Sequence, residues 1–339
     1  MKLLDLCTML WGSAEIRDPA PAIEVVHDCR YIPYAGNRPW GLYGRDGRLI
    51  DLAVDFREGI HHPPDQSLAV LPIATGIESL APDDTYIYGG RINPHFGHFL
   101  VNTLPRFWAM PKIRSPNTKI LCHAPGTPEN WFSIPFVATA FGLLGLSPHD
   151  FVKFEKPTRL RTVVVPATSL EEQHAGYRAF ADLCQGIGDR IRSAENFERT
   201  DRPIYYSKTR LSSAVGLITN ELEIETVMKD HGVEIIYPET LSFADQVRLM
   251  SSRDQILGSA GSFLHASIFC PPRRITCLNV TEKINSNYTI IDSLAGNTAT
   301  YHYPPALRVL DGKDGFLTLR YLPEANRVAE ELLAAIKAA

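Results

Sequence analysis

Residues 254–264, Asp254-Gln255-Ile256-Leu257-Gly258-Ser259-Ala260-Gly261-Ser262-Phe263-Leu264, run a short apolar stretch into a glycine-punctuated turn and out into a second apolar stretch. That is the pattern of a buried strand whose carboxyl end feeds the start of a helix. The alternation extends to both sides. Strand candidates at Ile204–Tyr206, Val233–Tyr237, Gln255–Leu257 and Ile275–Val280 are separated by three helix candidates, the arrangement of parallel βαβ units. Asn220 and Glu223 have capping-box spacing ahead of Ile224, Val227 and Met228, and Gly232 closes that helix. Ser242 caps the next one, whose buried stripe is Phe243, Val247 and Met250. The third begins within the glycine turn itself.

Upstream the texture changes. Between Ile23 and Ala74, short runs rich in Val, Ile and Tyr are broken by Gly and Pro, and Leu42–Ile50 reads as a hairpin turning at Asp46-Gly47. From Tyr86 to Val165, strand candidates at Tyr86–Tyr88, Lys119–His123 and Arg161–Val165 alternate with helix candidates over Gly97–Met110 and Phe136–Leu144. Residues 171–199 are polar and helical in character, and the inter-domain connection is expected there. After Thr281 the chain reads as loop-rich until Leu322-Pro323, where a terminal helix carries Val328, Leu332 and Ile336 on one face. The expected organisation is α/β with a β-rich start. It has an N-terminal domain over 1–170, a helical connection over 171–200, a C-terminal domain over 201–321 and a closing helix over 322–339.

The 339 residues carry 34 Lys and Arg against 38 Asp and Glu, a net charge of −4, which offers no basic excess for nucleic acid or anionic lipid. The six cysteines form no CxxC pair, so neither a zinc ribbon nor a disulfide framework is indicated, and a reducing, cytoplasmic setting fits best. Asp5 interrupts the apolar N-terminus, and the longest apolar run, Trp131–Leu146, contains Ser133 and Pro135. That run stays below the ~20 residues of a membrane-spanning helix. A soluble chain is expected, with peripheral attachment to the inner face of a membrane left open.

Candidate chemistry sits in three places. The turn Gly258–Ser262 would expose backbone N–H groups at a strand end, where an anion is favoured, so Gly258, Ser259, Gly261 and Ser262 are candidates for cradling a diphosphate. The competing reading is a turn that merely needs glycine. Ser207-Lys208-Thr209-Arg210 follows the strand Ile204–Tyr206 and by the crevice rule belongs at the same carboxyl edge, where Lys208 and Arg210 could clamp that anion. Solvated surface is the alternative there. GxGxxG, GxxxxGK[ST] and GxSxG are all absent, which disfavours dinucleotide, P-loop and serine-hydrolase chemistry. His98, Asn102 and Arg106 recur at i, i+4 and i+8 in an otherwise apolar helix candidate, a polar line out of place in a core. His98 is the best general-base candidate, with a capping or core-satisfied histidine as the alternative, and Pro105 should kink the helix. His95 and His98 lack a third ligand at partner spacing, and no Asp-x-Asp occurs to grip a metal-bound diphosphate. No metal is expected.

Taken in order, Gly89-Gly90, Asn93, Gly97-His98-Phe99-Leu100 and Leu104-Pro105-Arg106 resemble the first sequence block of the family 61 glycosyltransferases. Tyr206–Arg210, Asn220-Glu221-Leu222, Pro238–Phe243, Gln246 and Gly258-x-x-Gly261-Ser262-x-Leu264 resemble the second, and the likeness covers about residues 86–280. It implies a GT-B-like fold, two Rossmann-like domains facing a cleft. It also implies an inverting, metal-independent transfer of a hexosyl or pentosyl group from a nucleotide-sugar, commonly uridine diphosphate (UDP) linked, to a glycan or lipid-linked glycan. No cofactor is implied, since the nucleotide-sugar is a substrate. Bacterial members are associated with capsule and other surface polysaccharides. By the match, Ser207, Lys208, Arg210 and Gly258–Ser262 face the diphosphate, Glu239 and Leu241 lie near the nucleoside, and His98 faces the acceptor with Asn93, His95 and Arg106. Two positions depart from the pattern. Asn102 stands where an acidic residue is frequent, so the base is His98 or a residue the motifs do not mark, and Ala260 stands where a histidine is frequent. Two other readings stay open: a polysaccharide pyruvyltransferase-like enzyme using phosphoenolpyruvate, and a non-catalytic nucleotide- or carbohydrate-binding component of a polysaccharide assembly complex.

Overall fold

The computed structural model describes all residues except 1, 35–38, 62–65, 67–69, 71–78, 195–198, 212–214, 311–316 and 339. It is mixed α/β and divides into two compact units, one of Met1–Gly12 with Gly188–Ala339 and one of Ser13–Ile187.

In the unit that holds the C-terminus, five parallel strands are Ile204–Tyr206, Glu234–Ile236, Gln255–Ser259, Arg274–Leu278 and Thr298–Tyr303. Counted along the chain they lie in the order 2-1-3-4-5, so the sequence order reverses between Ile204–Tyr206 and Gln255–Ser259. Open α/β sheets bind ligands beyond the carboxyl ends at such a reversal. Tyr205, Leu257 and Leu278 bury one face against Ile224 and Met228 of the helix Glu221–Asp230 and Val328, Leu332 and Ile336 of the helix Ala325–Ala338. On the other face Tyr206 stacks on Phe263 at 4.5 Å between ring centres. Cover on both faces explains why these strands read as unbroken apolar runs.

Several expectations change here. The first twelve residues, assigned from sequence to the N-terminal domain, pack in this unit. Asp5–Leu6 pairs antiparallel with Thr298–Tyr303, and the Glu331 carboxylate accepts the N–H groups of Leu3 and Leu4 at 2.8–3.0 Å. The stretch after Thr281 is not loop-rich, because it forms the helix Ser286–Ala295 and the fifth parallel strand. Asn285 caps that helix through the Asn287 N–H, and Gly296 ends it in the left-handed region at φ 73°. Asn220 does not cap its helix. Its amide bonds both backbone groups of Leu322 instead, tying the terminal helix down. The helix expected to leave the glycine turn is a single turn, Phe263–Ala266, followed by a tighter turn at Ser267–Phe269.

In the unit Ser13–Ile187 the sheet runs Phe151–Val152, Lys119–His123, Thr85–Arg91, Thr158–Pro166, Ile23–Ile32 and Gly41–Tyr43. The first four are mutually parallel and the last two pair antiparallel. The Asp46-Gly47 turn forms, with Gly47 at φ 77°. The expected helix over Gly97–Met110 is instead four short turns: Phe96–His98, a wider π-type turn over Phe99–Thr103, a tighter 3-10 turn over Leu104–Ala109, and Met110–Ile113. Pro105 has no N–H to give to an α-helical ladder, and π-type turns are often found at functional sites. Residues 171–177 are not helical, because Leu170–Glu171 and Ala175–Tyr177 form a hairpin ahead of the helix Arg178–Ser193.

Gly89-Gly90 does not break its strand, which continues to Arg91. A Cβ on Gly90, where φ is 73°, would lie 2.5 Å from Cδ of Arg106. The glycine lets that side chain pass into the interior. Gly90→Ala is expected to destabilise the protein by about 2–4 kcal/mol, from left-handed strain plus overpacking, read as a fall in the urea unfolding midpoint.

Candidate active site

Two clusters of polar side chains emerge, one in each unit. In the C-terminal unit the loops after Tyr206 and Ser259 meet at the strand-order reversal. Lys208 is buried, and its ammonium donates to the carbonyls of Val215 at 2.7 Å, Gly216 at 3.4 Å and Ala260 at 2.7 Å. It thereby joins the Ser207–Arg210 loop to the Gly258–Ser262 turn, and its donors point at backbone rather than outward. Burial pulls its pKa down, and the Glu221 carboxylate works against that pull. Glu221 is buried as well. It accepts from the Tyr205 hydroxyl at 2.8 Å, the Ser259 hydroxyl at 2.5 Å and the Lys208 N–H at 3.3 Å, while burial raises its pKa.

Glu225 performs the matching task beside it. It is fully buried and accepts from Ser207 and Tyr237 hydroxyls, both at 2.8 Å, from Thr209 at 2.5 Å and from Lys229 at 3.1 Å. Burial would raise its pKa, yet these donors together hold it below the usual carboxylate range. The Tyr237 ring so fixed carries Arg210, whose guanidinium lies 3.6 Å above its centre. Arg210 is exposed, and of the two cations in its loop it is the one turned to solvent. Glu239 is exposed and Leu241 partly so on the loop after Ile236, which Gln246 pins through the carbonyls of Pro238 and Leu241 at 3.0 and 3.3 Å.

Glycine has a different role here from the one read in sequence. A Cβ on Gly258 would come within 2.9 Å of both Phe263 and Tyr206, so packing demands glycine there, whereas Gly261 has ordinary room. With one helical turn behind it the site has little helix dipole, and the Ala260 N–H is already given to the Leu278 carbonyl at 2.9 Å.

In the other unit the polar line His98, Asn102, Arg106 divides. Arg106 turns inward, 1% exposed, and donates to the carbonyls of Leu52 and Val54 at 2.7 Å and Pro166 at 3.2 Å, with Asp55 at 3.3 Å. It braces the interior and does not reach an acceptor surface. His98 and Asn102 stay together and converge on a residue the motifs did not mark, Glu172. The Asn102 amide donates to it at 3.0 Å, and Nδ1 of His98 lies 3.8 Å from its other oxygen. Glu172 is 4% exposed, while the His98 side chain is 41% exposed. Burial lowers the His98 pKa, Glu172 raises it, and His95 and Arg91 lower it, leaving it below the ordinary value. An imidazole so placed is neutral near pH 7 and able to take a proton. His95 is exposed with its ring 5.3 Å from that of His98, and Asn93 orders the turn by accepting from the His95 N–H at 3.0 Å. Glu172 was missed because 70 residues of chain separate it from Asn102, and its segment reads as part of a polar connection.

The model of the glycosyltransferase 61 family matches residues 96–277, more than half of the chain. This chain therefore belongs to glycosyltransferase family 61 and is a glycosyltransferase. The matched span runs from the turn that carries His98 through both loops of the sheet edge. A comparison with curated proteins finds no match. No described helix is long and apolar enough to cross a membrane.

Lys208→Met is expected to leave the carbonyls of Val215, Gly216 and Ala260 without their shared donor and to cost about 3 kcal/mol. The check is chemical denaturation, read as a fall in the unfolding midpoint.

Proposed function

We propose that this glycosyltransferase moves a sugar from a UDP-linked donor to a glycan or lipid-linked glycan by metal-independent, inverting displacement. The observation that carries the donor half is the meeting of the Ser207–Arg210 loop and the Gly258–Ser262 turn at the strand-order reversal, joined by Lys208. On this reading Arg210 and the Gly258–Ser262 turn hold the diphosphate, while Ser207, buried with its hydroxyl given to Glu225, supports the loop from within. Lys208 shapes the turn from beneath, and Glu239 and Leu241 border the nucleoside. His98 takes the acceptor hydroxyl proton on Nε2. The acceptor oxygen forms its bond to the anomeric carbon as the bond from that carbon to the diphosphate oxygen breaks, and the diphosphate leaves with the electron pair. Charge stabilisation by Arg210 and the turn is the larger contribution to such a step, and base catalysis adds about 10²- to 10⁴-fold.

The finer fold reading, GT-B-like with two Rossmann-like domains, is part of the same proposal and rests on the family resemblance. So does a place in bacterial surface polysaccharide synthesis on the cytoplasmic side of a membrane. The absence of Asp-x-Asp supports a metal-free grip.

Calorimetric titration with UDP, GDP, CMP and phosphoenolpyruvate, with and without EDTA, tests the reading. The expected result is selective UDP binding that survives EDTA, weakens at least tenfold in Arg210→Ala and is unchanged in His98→Ala, which in turn loses transfer by at least 10²-fold. Binding of phosphoenolpyruvate alone would favour the pyruvyltransferase reading, and nucleotide binding without turnover across acceptors would favour the non-catalytic one.

A further inference from the structure

We infer that Glu172 is the positioning residue for His98, holding the imidazole with Nδ1 turned to its carboxylate so that Nε2 is left for the acceptor. The inference rests on His98 being the proton acceptor and adds the group that makes it one.

Three observations carry it. The two oxygens of one carboxylate reach His98 and Asn102, the two residues of the polar line that stay on the same side of the chain. Among the described residues Glu172 makes no ion pair with Lys or Arg, and the His98 imidazole is the basic group that lies within 4.0 Å of it. A carboxylate 4% exposed without a Lys or Arg counter-ion costs stability unless hydrogen bonding compensates it. Finally, Glu172 is placed by a rigid support. It begins a three-residue turn between Leu170–Glu171 and Ala175–Tyr177, in which Gln173 adopts φ 56°. Its carbonyl accepts the Glu58 N–H at 2.8 Å, and the Ser13 N–H bonds the carbonyl of Gln173 at 3.0 Å. A non-glycine residue in that conformation needs such surroundings to persist.

The pH behaviour separates positioning from packing. Burial, His95 and Arg91 lower the His98 pKa, while Glu172 is the charged group that raises it. Removing the Glu172 charge must therefore lower it further. His98 works as a base only when neutral, so the fall of rate toward acid pH should move to lower pH in Glu172→Gln, while the plateau kcat drops because the ring is a weaker and less well-held base. Glu172→Asp keeps the charge and should return the acid limb toward the wild-type position.

The experiment is the pH profile of kcat for the full-length wild-type, Glu172→Gln and Glu172→Asp proteins, beside UDP titration and direct NMR titration of the His98 ring. Expected are a plateau kcat at least tenfold lower in Glu172→Gln, an acid limb and a ring pKa shifted down together, and unchanged UDP affinity. An unshifted ring pKa in Glu172→Gln would overturn the assignment, as would a lower kcat with an unmoved acid limb. If Glu172→Gln fails to fold, Glu172→Asp carries the test, with wild-type-like ring pKa and partial kcat supporting the role and a ring pKa equal to that of a solvent-exposed histidine overturning it. Wild-type turnover in His98→Ala beside a shifted ring pKa in Glu172→Gln would discard His98 as the base while leaving the pairing in place.

Discussion

A single buried ammonium fixes the edge of the C-terminal sheet. Lys208 follows the first parallel strand, and its three donors fall on the backbone of Val215, Gly216 and Ala260. Two loops far apart in the chain become one surface at the place where the strand order reverses. A lysine so deep is tolerated because carbonyl acceptors replace its water and Glu221 lies close enough to offset part of the desolvation. The arrangement costs conformational freedom in both loops and returns a preorganised rim, which electrostatic catalysis requires.

Buried carboxylates then organise what stands on that rim and in the other unit. Glu221 holds Ser259 and the Lys208 backbone, and Glu225 holds Ser207, Thr209 and the ring beneath Arg210. In the Ser13–Ile187 unit, Glu172 holds Asn102 and faces His98. In each case a buried carboxylate fixes the side chains around it, and two of the three stand behind a more exposed group, Arg210 on the Tyr237 ring and His98 beside Glu172. The two units solve the same problem with the same chemistry.

Much of this was legible in the sequence, and the boundary follows physical range. The βαβ alternation from Ile204 to Val280, the Asp46-Gly47 turn and the apolar face of the terminal helix are short-range patterns, and all three form. The helix Ser286–Ala295 was read as loop although Asn285 and Gly296 are ordinary start and stop signals, because its half-polar composition hid the period. Long-range pairings had no local mark. The pairing of Asp5–Leu6 with Thr298–Tyr303 and the approach of Glu172 to Asn102 depend on chain segments that only the folded backbone brings together. The directions of Lys208 and Arg106 were hidden for a related reason. A long cation in a loop or on a helix reads as surface until carbonyls are seen around it, and here both side chains point inward.

The most direct test of a metal-free, inverting transfer is to assign by NMR the anomeric configuration of the product formed by the purified protein from UDP-sugars and oligosaccharide acceptors in EDTA. The expected result is a new glycosidic bond of configuration opposite to that of the donor, formed at the same rate with and without the chelator. Retention of the donor configuration, or transfer that starts only when a divalent ion is added back, would contradict it.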